Sequence, residues 1–298
     1  MAYNDFLNEV AKRKFADAMF ETAAQVAARL RAIVEIEPVD AEDLMLDRIH
    51  NVEVQEHIGR HPEIVPQDMR FDRRKLITKR VGVAFMVDEW DRVKVSGELD
   101  AKLAKRAGQA FERYFDRMVV LASLATVYTG KNGTTSLSAA SDDVVTVDCT
   151  SSGFIYDKLL EIDEKFQKYD IGTDMPLEKY LLISEQEHTA LMKETKLISG
   201  DYSRQFVVDQ GEIQKALGFK IVKFGSGATI PVLNVASTTR NCIALAAGGV
   251  RVGLTKSYKI EKEKVNNRWY TDQILASGNM GAIRMEGRRV IQVNTTAS

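Results

Sequence analysis

Two long stretches of the chain repeat apolar residues at three- and four-residue steps, the spacing of an amphipathic helix. The first stretch predicts a helix over residues 1–34 that Pro38 ends. The second predicts a helix of about 30 residues that begins near Ser96, whose side chain can cap its N-terminus. The apolar stripe of this second helix consists of Leu99, Leu103, Ala107, Ala110, Phe111, Tyr114, Met118, Leu121, Ala122 and Ala125. It is the strongest helical signal in the chain.

Between Leu44 and about Val87 the pattern changes to two extended segments, which predicts a long β-hairpin with a tip rich in His, Gly and Pro. Each arm of roughly 15 residues would span about 50 Å, which is long for an element inside one compact domain. The hairpin also has too few large apolar residues to bury both faces. We therefore expect it to be either poorly ordered or stabilised by packing on another subunit, which favours assembly over catalysis.

The two arms of the hairpin carry opposite charge. The outgoing arm is mostly acidic, with Asp47, Glu53, Glu56, Glu63 and Asp68. The return arm is mostly basic, with Arg70, Arg73, Arg74, Lys75, Lys79 and Arg80. The arms can therefore pair with each other or with the arms of a neighbouring subunit.

The hairpin tip contains a candidate metal site, because Glu56, His57 and His61 lie close together. Two histidines four residues apart would share one face of a helix, as in the zinc-protease signature. In that signature the Glu lies between the histidines, whereas Glu56 precedes His57, and Gly59 and Pro62 disfavour a helix here. The favoured interpretation is a polar loop tip without metal.

The second half of the chain alternates helical and extended patterns and then becomes mostly extended. Helices are predicted over 154–170 and 185–194, and strands over 179–184 and 218–224, which together indicate a small α/β unit. His188, on the second of these helices, is predicted to be a surface or partly buried residue, since no nucleophile or acid accompanies it. The closing strands are predicted at 242–247, 250–255, 257–265, 268–277, 282–287 and 289–293.

Composition limits the classes of function. The chain has 298 residues, and 41 basic against 42 acidic residues give a net charge of -1, so no global attraction to nucleic acid or to an anionic membrane is expected. Cys149 and Cys242 form no C-x-x-C pair, which fits core thiols in a reducing compartment. No apolar run resembles a signal peptide or a transmembrane span. The carboxylates are scattered in salt-bridge patterns rather than converging, which argues against an enzyme.

The order of these parts resembles the major capsid proteins of tailed bacteriophages of the Hong Kong 97 type. The stretch RRKLITKRVGVAFMVDEWD resembles the return arm of the family's hairpin, and RAGQAFERYFDRMVVLASLATVYTG resembles its spine helix. SGDYSRQFVVDQGEIQKALGFKIVKF is similar to part of the family's axial domain, and MGAIRMEGRRVIQV is similar to its closing strands. The resemblance covers nearly the whole chain, and the joint order of the motifs carries it.

The resemblance implies an α+β fold of the Hong Kong 97 type with five parts. These are an N-terminal arm (1–43), an extended hairpin loop (44–88), the spine helix with the first part of the peripheral domain (89–150), the axial domain (151–240) and the closing strands of the peripheral domain (241–298). An encapsulin-like compartment shell, which shares this fold, is the alternative.

The resemblance also implies a function and a set of partners. The protein is expected to be structural and to self-assemble, through hexamers and pentamers, into the icosahedral shell that encloses a phage genome. No catalytic activity and no cofactor are expected. Some members of the family begin with a cleaved internal scaffold, but only about 45 residues precede the hairpin here, so the resemblance implies either a separate scaffolding protein or an already processed chain. Met1 favours the separate scaffolding protein. A portal protein and packaged double-stranded DNA, held by non-specific contact, are further expected partners, and a membrane is not. The expected location is the virion capsid, assembled in the host cytoplasm.

The expected intersubunit contacts lie at the tip and arms of the hairpin. They are His57, Gly59, Arg60, His61, Arg70, Arg73, Arg74 and Lys75. Arg73 and Arg74 are expected on an exposed arm, so reversing their charge should impair assembly more than folding.

Overall fold

The computed structural model describes residues 27–52, 54, 56, 66, 68–69, 71–88, 99–151, 153–172, 176–194, 208–209, 212–227, 230–265 and 271–296. The helices are α1 (Leu99–Leu124), α2 (Tyr156–Gln167) and α3 (Glu185–Met192). The strands are β1 (Glu35–Pro38), β2 (Asp43–Ile49), β3 (Phe71–Ile77), β4 (Lys79–Val87), β5 (Val127–Thr129), β6 (Thr135–Leu137), β7 (Val145–Asp148), β8 (Lys179–Ser184), β9 (Val208–Asp209), β10 (Glu212–Ile213), β11 (Lys215–Ala216), β12 (Phe219–Phe224), β13 (Val235–Ala236), β14 (Thr239–Ala246), β15 (Val250–Val265), β16 (Thr271–Arg284) and β17 (Val290–Thr296).

The predicted long helix is confirmed as α1, which has 26 residues. Its first half packs Ala107 and Phe111 against β16, and its second half buries Phe115 and Val119 in the main core. The two halves of the helix therefore belong to two different clusters of buried apolar side chains. The predicted stripe was wrong at its end, where Leu121 is 41% exposed.

The predicted hairpin is confirmed in part. Strands β2 and β3 pair antiparallel from Asp43 opposite Ile77 to Ile49 opposite Phe71. The rest of the predicted return arm forms β4, which pairs with β16 instead. The reason is apolar packing, because alternate residues of β4 such as Val81 contact the same cluster that holds α1 against β16. The turn-rich stretch after α1 forms the short β5–β6 hairpin, which continues the β2–β3 sheet.

The segment before β1 is not helical over its described residues 27–34, so the predicted helix is wrong there. Its backbone is held by carboxylates of α1: the amides of Arg29 and Leu30 each donate to Asp116 at 3.0 Å. The Leu30 side chain is fully buried in the main core. Pro38 ends the strand β1, which pairs parallel with β15, rather than a helix. Residues 1–26 lie outside the described residues.

The predicted α/β unit is confirmed. Strands β8 and β12 pair parallel inside a seven-stranded sheet of order β11-β12-β8-β14-β17-β7, to which β13 adds beside β14. Helix α3 starts where β8 ends, because Ser184 and Glu187 form a capping box. Leu181 and Ile183 from β8 lie in the main core.

The closing strands divide between two sheets. Strands β15 and β16 each merge two predicted strands and form a four-stranded sheet with β1 and β4. A shift of register around Lys256 explains why β15 resembled two strands in the sequence. Strands β14 and β17 lie in the seven-stranded sheet instead, and the division of the chain into five parts stays a prediction. No helix among the described residues is long and apolar enough to cross a membrane.

Candidate assembly surface

Side chains of the β2–β3 hairpin alternate between an outer face and an inner face, as in any strand. The outer face carries two ion pairs between the arms, Asp47–Arg73 and Asp43–Lys75, each at 2.6 Å. The hydrogen bond from Arg73 lowers the pKa of Asp47, and the same bond raises the pKa of Arg73. Because water reaches both ion pairs and screens them, each pair contributes little to folding.

An apolar surface follows these ion pairs toward the tip of the hairpin. Ile49 and Phe71 are direct cross-strand neighbours and are 62% and 67% exposed. We call the exposed set Ile49, Val52, Val54, Met69 and Phe71 the hairpin apolar patch. Exposed apolar clusters with a polar rim are typical of protein–protein contact sites.

The inner face of the hairpin carries a buried charge cluster, and this corrects the expectation for Arg74. The Arg74 side chain is 0% exposed and donates two hydrogen bonds to Asp142, at 2.8 and 2.5 Å. Arg284 donates to the same carboxylate at 2.7 Å. We call Arg74, Asp142 and Arg284 the base cluster. Since Arg74 is enclosed by its own subunit, its side chain is not available for contact with a neighbour.

The base cluster joins the hairpin to the rest of the subunit. Arg284, at the end of β16, also donates to the carbonyls of Ser123 and Ala125 at 2.8 and 2.9 Å, where α1 ends. These carbonyls lack helical partners, so the guanidinium caps the helix. Burial alone would raise the pKa of Asp142, but the hydrogen bonds from Arg74 and Arg284 outweigh it, and the pKa lies below its ordinary value. The base cluster therefore holds together strand β3, the turn that carries Asp142, the end of β16 and the end of α1.

Close backbone packing supports the base cluster. A Cβ added at Gly287 would lie 1.6 Å from the carbonyl oxygen of Asp142, so only glycine fits. This contact places the turn before β17 directly against the turn that carries Asp142. The carboxylate position is thus set by backbone as well as by the two arginines.

The family of the chain follows from its sequence as a whole. A model of the phage capsid protein family matches residues 7–297. The chain belongs to this family. It is a structural protein of the phage capsid shell, and the encapsulin-like alternative is not favoured. A comparison with curated protein sequences found no match.

Solved capsid structures share the fold of this capsid protein. A structure from Mycobacterium phage Che8 is 15% identical, with a TM-score of 0.65 over 94% of this chain and 96% of that chain. The capsid structure of cyanophage P-SCSP1u is 11% identical, with a TM-score of 0.71 over 98% and 94%. The acid-stable capsid of Helicobacter pylori bacteriophage KHP30 is 8% identical, with a TM-score of 0.71 over 99% of both chains. The predicted Hong Kong 97-type fold is confirmed.

The expected contact residues of the capsid subunit fall into three groups. Arg73 and Lys75 lie on the outer face and are paired within their own subunit. Arg74 is buried. The others, His57, Gly59, Arg60, His61 and Arg70, lie outside the described residues, so their role stays a prediction. Within the described ranges, no group of three His, Cys, Asp or Glu side chains could hold a metal ion.

A second buried polar network was missed by sequence reasoning. Arg240 donates to Ser184 Oγ at 2.7 Å and to Glu187 Oε1 at 3.1 Å, and Thr295 donates to the same Glu187 oxygen at 2.7 Å. Burial opposes ionisation of Glu187, yet the hydrogen bonds from Ser184 and Thr295 hold its pKa below the ordinary value. His188 is also buried, and its ring nitrogen accepts from the backbone amide of Ile213. The capping-box spacing of Ser184 and Glu187 was the available sequence signal.

Proposed function

We propose that the capsid subunit forms hexamers and pentamers of an icosahedral shell, and that the β2–β3 hairpin of each subunit lies over an adjacent subunit. The hairpin apolar patch supports this proposal most directly. Ile49 and Phe71 stay more than 60% exposed although they extend from strands that their own subunit anchors firmly. Burying such a pair against a neighbour is favourable by roughly 25 cal/mol per Å² of apolar surface.

The proposal includes a separate scaffolding protein, a portal protein and double-stranded DNA as partners. With a net charge of -1, the subunit would contact DNA only through local basic groups, and these contacts would weaken as salt increases. Assembly in the host cytoplasm agrees with two buried free thiols. The proposal assigns no catalytic role, and the buried carboxylates Asp142 and Glu187 are used in structural networks.

Electron microscopy of the expressed chain tests assembly. We expect rings or shells both with and without co-expressed scaffolding protein. Nuclease treatment before and after disruption of the particles shows whether they enclose nucleic acid. A monodisperse monomer in sedimentation at high protein concentration, with a protease-resistant hairpin, would contradict the proposal.

A matched pair of variants tests the role of the hairpin. Phe71→Asp removes an exposed side chain from the hairpin apolar patch, and Leu160→Asp makes the same change at an exposed position of α2. The unfolding free energy of each variant should lie within about 0.5 kcal/mol of the wild-type value, because surface substitutions rarely change stability by more than this. Only Phe71→Asp should lower the yield of particles strongly. Normal particles from Phe71→Asp would count against contact through the hairpin.

A further inference from the structure

A cavity of about 340 Å³ lies beside the middle of α1. We call it the helix cavity, and the described residues that line it are Ala110, Arg113, Tyr114, Arg117 and Ile230. Arg113 and Arg117 are one helical turn apart, so they share one face of α1. Ile230 comes from the loop after β12 and is 59% exposed.

The positive charge of the helix cavity is not compensated within the described part of the subunit. Neither Arg113 nor Arg117 forms a hydrogen bond or an ion pair with a described residue, and the described residues that line the cavity include no carboxylate. The nearest carboxylates of α1 are used elsewhere: Glu112 accepts from the amide of Ala28 and from Arg31, and Asp116 accepts from the segment before β1. Guanidinium groups bind carboxylates and phosphates well, so an anionic partner fits.

The apolar part of the lining favours a peptide over a nucleic acid as the anionic partner. Ala110 and Tyr114 are half-buried, and Ile230 presents most of its side chain to solvent at the edge of the cavity. A phosphodiester backbone would satisfy the two arginines but would leave this apolar wall exposed. A peptide segment that combines a carboxylate with aliphatic side chains satisfies both parts, because each apolar contact removes surface from water.

Such a segment follows β2 in this same chain. Val52 and Val54 are exposed, Val54 by 96%, and Glu56 is exposed without an ion pair to any described residue. In an extended conformation these alternate residues share one face, so a carboxylate lies beside two valines. We propose that the helix cavity of one subunit receives Val52, Val54 and Glu56 of a second copy. This inference rests on the proposed contact between the hairpin and an adjacent subunit, and it names the surface that receives the hairpin.

A charge-exchange experiment tests the electrostatic part. Arg113→Glu and Glu56→Arg should each lower the particle yield about tenfold, in line with coupling energies of close charge pairs at interfaces. The combined variant should restore most of the yield, since the pair is rebuilt with opposite sign. Lys131→Glu, at an exposed position outside the cavity, is the control: it should assemble normally and should not rescue Glu56→Arg. Unfolding of each isolated variant by denaturant separates assembly defects from folding defects.

A cysteine pair tests proximity directly. With Val54→Cys and Ile230→Cys in one chain, a mild thiol oxidant should link subunits into ladders on non-reducing gels of assembled particles, and neither single variant should do so. The native thiols should not interfere, because burial raises the pKa of Cys149 to about 11 and that of Cys242 to about 12.

The outcomes separate this inference from the proposed function. If Phe71→Asp blocks assembly while Arg113→Glu and Glu56→Arg assemble normally without ladders in the cysteine pair, the hairpin contact stands and the helix cavity is not its receptor. If Arg113→Glu forms normal particles that retain less nucleic acid, the occupant is nucleic acid and the inference is wrong. If Arg113→Glu fails only with co-expressed scaffolding protein and Glu56→Arg does not rescue it, the occupant is that protein and the inference is also wrong.

Discussion

Arg73 and Arg74 are consecutive residues of one strand, yet they belong to two different regions of the subunit. Arg73 pairs with Asp47 on the outer face, where both side chains are exposed by more than 40%. Arg74 is fully enclosed on the inner face by Asp142 and the end of β16. The pleat of the strand, rather than the charge, decides which arginine supports the fold and which is available for assembly.

The two arginines should contribute very different amounts to the free energy of unfolding. An exposed ion pair contributes about 0–1 kcal/mol, because water screens it and two long side chains lose freedom. Removing one partner of a buried pair costs about 3–5 kcal/mol, because the other charge is left without compensation. Reversing Arg73 and Arg74 together would therefore mix a folding defect with any assembly defect. Single variants are needed to separate the two regions.

The largest expected effect is that of Arg74→Glu. It would place a carboxylate against Asp142 inside the base cluster, so the subunit should lose at least about 3 kcal/mol of unfolding free energy, or fail to fold. Arg73→Glu is the matched control and should change the unfolding free energy much less, because water screens its ion pair with Asp47. Urea unfolding of unassembled subunits measures both. Equal losses in the two variants would remove the distinction between inner and outer face.

The next effect concerns the backbone that supports the base cluster. Gly287→Ala places a methyl group on the Asp142 carbonyl, so the two turns must separate, at a cost of about 1–3 kcal/mol or more. Gly225→Ala is the control, because a Cβ there meets no atom within 4 Å. Thermal unfolding of both variants should show a lower Tm for Gly287→Ala alone. An unchanged Tm would mean that the contact between the turns does not hold the cluster.

Asp116→Asn tests the buried carboxylate that fixes the segment before β1. Each carboxylate oxygen accepts one backbone amide, from Arg29 or Leu30, and an asparagine would turn an NH₂ donor toward one of them. We expect a loss of about 1–3 kcal/mol, since a buried amide loses its acceptor. Hydrogen exchange should show faster exchange of the amides of Arg29 and Leu30. Glu112→Gln, which changes a partly exposed contact, should have the smaller effect.

The smallest expected effect is a difference in pH dependence. The pKa values of Asp142 and Glu187 lie below their ordinary values of 3.8 and 4.5, so these groups add stability above the unfolded-state pKa. That stability is lost as pH falls through the lower folded-state pKa. The Tm of unassembled subunits should therefore decrease below about pH 4, and Glu187→Gln should have a lower Tm at pH 7 but a shallower decrease. Asp47→Asn, on the outer face, should reduce the slope less than Glu187→Gln, because water screens the ion pair of Asp47 with Arg73.

Local patterns predicted those elements whose signals are local. Helix α1 and the elements β8, α3 and β12 follow from apolar patterns that act over a few residues, and the capping box at Ser184 is a further local signal for the start of α3. The burial of Arg74 has no such signal, because its partners Asp142 and Arg284 are 68 and 210 residues away in the sequence. The charged residues of β2 and β3 occupy both faces, so their alternation could not indicate which face is inside.

The same reasoning explains the other corrections. The segment before β1 has an apolar periodicity, but its described part is held by Asp116 of α1, a contact across more than 80 residues. The fusion of the closing strands into β15 and β16 depends on their pairing with each other and with β4. The helix cavity also depends on tertiary structure, since Ile230 joins residues of α1 that precede it by more than 100 positions.

Hydroxyl-radical footprinting measures, without any substitution, whether the outer end of the hairpin is buried between subunits. Met69 and Phe71 are both more than half exposed in the isolated subunit, so both should be oxidised readily there. In assembled particles we expect strong protection of both residues, while the buried Phe111 stays unreactive in each state. Equal oxidation of Met69 and Phe71 in free subunits and in particles would contradict it.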